Sequence, residues 1–163
     1  MRHVLGVLVV ALASIGAGAC DKAGDPVPIP TAVSSPTVTE TFSGTLVTLG
    51  ANLHNFQVTQ TSEVDVTLTT ETTVAVAADP TASPPVVAVP AVPVTFPVTV
   101  RVGQPAISTL GVTCSSLKSV ETTAGASPQI RGQALAGTFC VSVSDPNGAL
   151  PQSVSYIITV AHS

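Results

Sequence analysis

The chain has 163 residues, enough for one domain, of which 45% are hydrophobic and only 9% charged. Five Lys and Arg against nine Asp and Glu provide no basic patch for phosphates, which argues against nucleic-acid binding. The hydrophobic content is too high for a disordered chain. The 27 Val and 22 Thr favour strands, because β-branched side chains pack well on a pleated sheet. We therefore predict an all-β protein.

The first 20 residues have the pattern of an export signal. Arg2 precedes an apolar run over 4–19, which is shorter than the roughly 20 residues that a membrane-spanning helix needs. The run ends in small residues directly before Cys20. A positive start, a short apolar stretch and a small-residue cleavage site predict a cleaved signal peptide over 1–19.

The same residues resemble the signal of bacterial lipoproteins. In that family the cysteine after the small residues receives a diacylglyceryl group, with further acyl chains such as palmitate, and becomes the mature N-terminus. Cys20 stands at that position, although Ala17 occupies the place where Leu is usual. The resemblance implies lipidation of Cys20 and an extracytoplasmic protein of the bacterial cell envelope, held on a lipid bilayer. The alternative is an ordinary secretory signal in which Cys20 is incidental.

A proline-rich segment follows the signal. Residues 20–37 carry four prolines, which favour an extended polyproline-II conformation that buries little apolar surface. We therefore predict a linker over 20–37 and a folded domain over 38–163. A second proline-rich stretch at 80–97 interrupts this domain, and because proline cannot donate to a β-ladder, we predict a projecting loop or edge segment there.

Within the domain, apolar and polar residues alternate with the period of a β-strand. Val64, Val66 and Leu68 share one face of such a strand, as do Phe139 and Val141 of a later one. Further strands are predicted at 53–58, 98–103, 107–113, 117–121, 130–135 and 154–160.

The tetrapeptide Asp145-Pro146-Asn147-Gly148 separates two of the clearest alternating runs, 139–144 and 154–160. Pro, Asn and Gly favour tight turns. We therefore predict that these two strands pair as an antiparallel hairpin with a longer loop.

Three segments resemble the bacterial pre-peptidase C-terminal domain: FQVTQTSEVDVTLT at 56–69, AGTFCVSVSD at 136–145 and VSYIITVAH at 154–162. That family has a late aromatic strand opened by a Gly-Thr or Gly-Ser step, matched here by 137–139, and a final strand containing Tyr, matched by Tyr156. The resemblance covers about 40–161. It implies an antiparallel jelly-roll-like or immunoglobulin-like β-sandwich, often accessory to a secreted enzyme. The chain departs from the family in carrying no protease domain.

Two cysteines remain once Cys20 is assigned. In an exported protein Cys114 and Cys140 are expected to form a disulfide. Free thiols and a metal site are the alternatives, and the absence of a C-x-x-C motif argues against both. If Phe139 and Val141 face the core, Cys140 points away from it, so the bridge should join a strand to a loop outside the core.

No sequence pattern indicates catalysis. His54 shares its strand face with Phe56 and is expected to be a satisfied or half-exposed strand residue, while His162 is expected to be exposed. A serine nucleophile needs a neighbouring base, and no G-x-S-x-G elbow is present. We therefore predict no enzymatic activity and no cofactor.

A metal site has only weak candidates. Asp145 and Asn147 superficially resemble part of a calcium loop, but the further oxygen ligands are missing, so a turn explains them better. Glu63 and Asp65 share a strand face and are better explained as a solvated surface. The sequence thus predicts a non-catalytic binding or structural domain with an envelope protein or polysaccharide as partner, and predicts no particular ligand-binding residue. The alternative is an accessory module that assists a secreted hydrolase.

Overall fold

The computed structural model describes residues 37–109 and 111–163, so the predicted signal, Cys20 and most of the predicted linker lie outside the described residues. All regular structure in the described ranges is strand, which confirms the all-β prediction. None of these residues forms a helix that could cross a membrane. The eight strands are β1 (Val38–Leu46), β2 (Ala51–Val58), β3 (Ser62–Thr73), β4 (Val98–Ser108), β5 (Gly111–Thr122), β6 (Ile130–Ala134), β7 (Gly137–Ser144) and β8 (Val154–His162).

The strands form two antiparallel four-stranded sheets, ordered β1-β8-β3-β6 and β2-β7-β4-β5. The first strand pairs with the last, the second with the second to last, and so on inward: β1 with β8, β2 with β7, β3 with β6 and β4 with β5. The eight strands therefore follow the order of one long antiparallel ribbon rolled into two layers, which is the jelly-roll arrangement. An immunoglobulin sheet instead places consecutive strands side by side, so the predicted β-sandwich is of the jelly-roll kind.

The core lies between the two sheets and follows the predicted alternation. Val64, Val66 and Leu68 of β3 are buried, and so are Phe139 and Val141 of β7. Because successive strand residues point to opposite faces, one face of each strand packs inward. The core cluster consists of Leu46, Phe56, Val58, Val64, Val66, Leu68, Val98, Val100, Val102, Ile130, Phe139, Val141, Val143, Leu150, Val154, Tyr156, Ile158 and Val160.

The predicted hairpin across Asp145-Pro146-Asn147-Gly148 is wrong. The turn exists, with Gly148 at φ 66°, but β7 and β8 belong to different sheets. The segment 145–153 crosses from one layer of the sandwich to the other. Each of the two strands buries its apolar face against the opposite sheet, so alternation alone does not decide whether they pair.

The predicted strand over 107–113 is also wrong, because a turn lies inside it. β4 ends at Ser108 and β5 begins at Gly111, which has φ 116°. Glycine adopts this backbone conformation without a Cβ clash, so the chain reverses here. The run is the tip of the β4–β5 hairpin.

Residues 74–97, which connect β3 to β4, form a two-stranded arm. Val76 and Val89 exchange two backbone hydrogen bonds of 2.9 Å, and Asp79 and Val86 exchange another two. The bonded positions are three residues apart, which matches the period of polyproline II. No proline occupies one of these bonded positions, because proline has no N–H to donate. The prolines of the arm are Pro80, Pro84, Pro85, Pro90, Pro93 and Pro97.

The arm and the N-terminal entry lie at opposite ends of the sandwich. Val38, where the chain enters β1, pairs with His162 at the end of β8. Thr73, from which the arm leaves, pairs with Val154 at the start of β8. The arm therefore projects from the end that is farther from the entering chain.

Candidate functional site

The tip of the β4–β5 hairpin folds back over the outer face of β7. β4 lies between β5 and β7, so a flat sheet would hold Cys114 and Cys140 about 10 Å apart. Their Cα atoms are 5.8 Å apart and a disulfide joins them. We call residues 104–109 and 111–115 the flap. The predicted pairing of the two cysteines is confirmed. The prediction that the bridge joins a strand to a loop is wrong, because Cys114 lies in β5 and Cys140 in β7. The expected placement outside the core is correct, since Cys140 is buried beneath the flap and does not belong to the core cluster.

Gly103 is the point at which the flap bends. The ladder between β4 and β5 shifts register between Val102 and Gly103, and the pairing of β4 with β7 ends at Gly103. A Cβ at this position would collide with the backbone carbonyl of Ser115. Only glycine allows the two strands to approach this closely, so the sharp fold depends on this residue.

A cleft of about 230 Å³ lies between the flap and the outer face of the sheet. On the flap side it is lined by Val112, Thr113 and Cys114. On the sheet side it is lined by Ala51, Asn52, Leu53, Arg101, Ser142 and Ser144. Outward-facing strand residues are usually solvated, but Ser142 and Ser144 are buried here.

A second polar cluster lies between the sheets at the edge formed by β1 and β2. The Nε2 atom of His54 is 2.8 Å from the hydroxyl oxygen of Tyr156, and the His54 ring stacks on Phe42 at 5.0 Å. Gly44 makes room for this contact, because a Cβ there would lie 2.7 Å from the Tyr156 hydroxyl. The prediction that His54 is a satisfied strand residue therefore agrees with its place in the structure.

Both groups of this pair are neutral near pH 7. Burial lowers the pKa of His54, and burial raises the pKa of Tyr156 against the opposing effect of a hydrogen bond with Asn52. A neutral histidine bonded to tyrosine lacks a serine, cysteine or carboxylate to activate. The arrangement fixes ring positions at the edge of the core.

The prediction that His162 is exposed is wrong. Its side chain is only 3% exposed, packs against Phe56 at 5.5 Å and lies 2.9 Å from Glu40 through Nε2. His162 continues the inward-facing series of β8 that contains Ile158 and Val160. The alternation therefore extends to the last residue of the strand, although sequence position alone indicated exposure.

Glu71 is a buried carboxyl group that the alternation does not predict. A bulge between Leu68 and Thr70 shifts the register of β3 by one residue, so Glu71 turns inward opposite Tyr156. It is 2% exposed, and its Oε2 accepts a hydrogen bond from the N–H of Ala124. Burial raises the pKa of Glu71, against the opposing backbone hydrogen bonds from Ala124 and Phe96.

Glu71→Gln is expected to raise the melting temperature by a few degrees at pH 7. Below the ordinary pKa of 4.5 the carboxyl is protonated in both states, so Gln and Glu should be equivalent there. As the pH rises above 4.5, the carboxyl ionises in the unfolded chain while burial keeps it protonated in the native protein, so the native state loses stability until the pH has passed the higher folded-state pKa. Melting curves at about pH 3.5 and pH 7 measure this difference, with the exposed Glu121→Gln as control. An equal melting temperature of wild type and Glu71→Gln at pH 7 would contradict it.

Asp145, a weak metal candidate from the sequence, is buried and hydrogen-bonds the turn after β1 to the loop after β7. Its carboxylate accepts hydrogen bonds from the N–H groups of Leu49, Ala149 and Leu150 at 2.8–3.2 Å. Desolvation would raise the pKa of Asp145, but the combined backbone hydrogen bonds hold it below the ordinary value. Because three N–H donors already point at the carboxylate oxygens, these oxygens are poorly placed to bind a cation. Asn147 lies in the same turn and makes no hydrogen bond to the Asp145 carboxylate.

Glu63 and Asp65 of β3 lie on the outer face of the sheet, where the sequence predicted a solvated surface. Glu63 is exposed, and Asp65 is 3.4 Å from the Nε of Arg131 in β6. In residues 37–109 and 111–163 no three His, Cys, Asp or Glu side chains come together in a group that could hold a metal ion.

Comparison with models of protein families gives no match, and comparison with curated proteins gives none either. The lipoprotein signal and the likeness to the pre-peptidase C-terminal domain therefore stay predictions from the sequence. The flap cleft was not predicted. Its only signals in the sequence were a glycine inside a strand pattern, Gly103, and the cysteine pair.

Proposed function

We propose that the chain is a lipid-anchored, non-catalytic domain of the bacterial cell envelope that serves as a binding or structural module. The observation that carries the proposal is the disulfide between Cys114 and Cys140. Disulfides persist in oxidising, extracytoplasmic compartments and are rare in the cytosol. This agrees with the export pattern of residues 1–20.

The positions of the two ends support a tethered binding module. The chain that carries Cys20 joins the domain at Val38, whereas the arm leaves from the far end of β3. Two acyl chains on Cys20 would suffice for stable anchoring, because each buried CH₂ contributes about 0.8 kcal/mol. A domain tethered in this way presents its arm and its flap cleft to the envelope compartment.

Metabolic labelling with radioactive palmitate tests the anchor. Cells that express the full chain are expected to label the wild type and Lys22→Gln, which preserves the cysteine, but not Cys20→Ser. The label should be in the membrane fraction, and the protein should have lost residues 1–19 by mass spectrometry. Equal labelling of wild type and Cys20→Ser would refute the anchor.

The arm favours an accessory module for a secreted hydrolase as the second candidate. Asp79 is its only charged residue, and it bonds to Thr81 within the arm. Several valines along the arm are exposed, and Val87 is 78% exposed. An apolar projection with a single charge fits an apolar groove on another protein. A protease or glycosidase gene adjacent to the gene of this chain would favour the second candidate, and its absence the first.

A further inference from the structure

We propose that the cleft beneath the flap binds a small anionic group, a carboxylate or a phosphate, through the guanidinium of Arg101. This inference rests on the proposed binding role and gives it a site. Arg101 lies on the outer face of β4 and lines the cleft together with Ser142, its partner residue on β7.

Arg101 stands apart from the other cations in the part of the chain that the structure describes. Arg131 pairs with Asp65, and Lys118 donates to the backbone carbonyl of Arg131 at 2.7 Å. Among these residues Arg101 has no carboxylate within ion-pair distance. A guanidinium presents several N–H donors in one plane, which matches the oxygens of a carboxylate or a phosphate.

Glu121 is the acid nearest to Arg101 in the sheet register. It pairs with Thr99, two residues from Arg101 on the same outer face, but it forms no ion pair with Arg101. Its negative charge on the same face repels an incoming anion. Removing the charge of Glu121 should therefore strengthen anion binding.

The other residues that line the cleft favour a small ligand that combines polar oxygens with an apolar carbon skeleton. The hydroxyl of Ser142 makes no hydrogen bond to any other described residue, so it can donate to a ligand oxygen, while Ser144 donates to the Thr99 carbonyl. Leu53 and Val112 supply an apolar contact on opposite walls. Pockets for drug-sized ligands usually exceed about 300 Å³, so the cleft suits a group of the size of a single acidic sugar.

The flap makes this site stronger than an open sheet surface would be. It covers the outer face of β7, and the disulfide holds it in place. Charge–charge attraction grows as water is excluded, because the effective dielectric constant falls. Opening the flap should therefore weaken anion binding even where Arg101 is intact.

Calorimetric titration of the purified full chain with galacturonate and with inorganic phosphate tests the proposal, with glucose as the uncharged control. We expect saturable binding of at least one anion and none of glucose. Arg101→Gln should weaken the binding about tenfold or more, because a hydrogen bond to a charged group is lost. The matched control Arg131→Gln should bind like wild type, and Glu121→Gln should bind more tightly. Circular dichroism confirms that each variant is folded.

The two anions identify the ligand class: binding of galacturonate alone indicates a carboxylate, and binding of phosphate indicates a phosphate-bearing ligand. Absence of saturable binding of both anions would overturn the proposal, as would equal losses in Arg101→Gln and Arg131→Gln or equally tight binding of glucose. None of these outcomes affects the palmitate labelling of Cys20, so failure of the cleft and failure of the anchor are distinguishable.

Discussion

Replacing both Cys114 and Cys140 with serine is expected to lower the free energy of unfolding by about 3–4 kcal/mol. The bridge closes a loop with a sequence separation of 26 residues, and in the chain-entropy model such a cross-link removes this much conformational freedom from the unfolded chain. The loss should appear as a lower midpoint in chemical denaturation. Cys20→Ser is introduced into both proteins, so that they differ in the bridge alone.

Limited proteolysis measures the same change locally. Without the bridge the flap should separate from β7, so thermolysin should cleave at Ile107, which is already 92% exposed, or at Val112 before it attacks the core strands. An unchanged denaturation midpoint, together with an uncleaved flap, would show that the bridge contributes nothing to the folded state. Alkylation of the two cysteines without reductant would show that it does not form.

Gly103→Ala is expected to destabilise the domain by about 3 kcal/mol, at the upper end of the usual cost of overpacking. The new Cβ would collide with the backbone carbonyl of Ser115, and relieving the collision requires the two strands to separate where the flap bends. Thermal melting of the oxidised protein measures the loss.

Gly132→Ala is the matched control, because Gly132 also lies in a strand and a Cβ there would meet nothing within 4 Å. It is expected to melt within a few degrees of wild type, and alanine can even stabilise by restricting the unfolded chain. Equal melting temperatures of the two variants would contradict the proposed role of Gly103 as the bend of the flap.

The local periodicity of the chain predicted most of the strands and the core. Val64, Val66 and Leu68 alternate with polar residues, and all three are buried as expected. The reason is that a strand presents successive side chains to opposite faces, so one apolar face marks one buried side. Partner choice was not predictable in this way: β7 and β8 alternate equally well as a hairpin or as facing strands of two sheets.

Side-chain placements that depend on register were missed for a different reason. Glu71 would face outward if β3 kept the alternation of Leu68, but the bulge before Thr70 turns it inward. One additional residue in a strand reverses every later side chain. A run of Thr residues carries no signal for such a bulge, because Thr is compatible with both faces of a sheet.

The candidate site likewise has one part that the sequence predicted and one part that it did not. The pairing of Cys114 with Cys140 followed from the odd count of cysteines in a chain with an export pattern. The cleft and the position of Arg101 in it did not, because they arise where the β4–β5 hairpin folds over a strand that lies more than 20 residues further along the chain. A contact between segments so distant in sequence leaves no periodic pattern.

The sequence by itself therefore determined the all-β class, the inward face of most strands, the bridge between Cys114 and Cys140, and the prediction of an exported, lipid-anchored chain. Only the tertiary structure decided the jelly-roll order, the burial of Glu71 and His162, and the flap that makes the cleft around Arg101. The physical reason is that alternation and composition report how each residue meets water, which is a local property. Strand order, bulges and folded-back hairpins are chosen by how the whole apolar surface is buried at once.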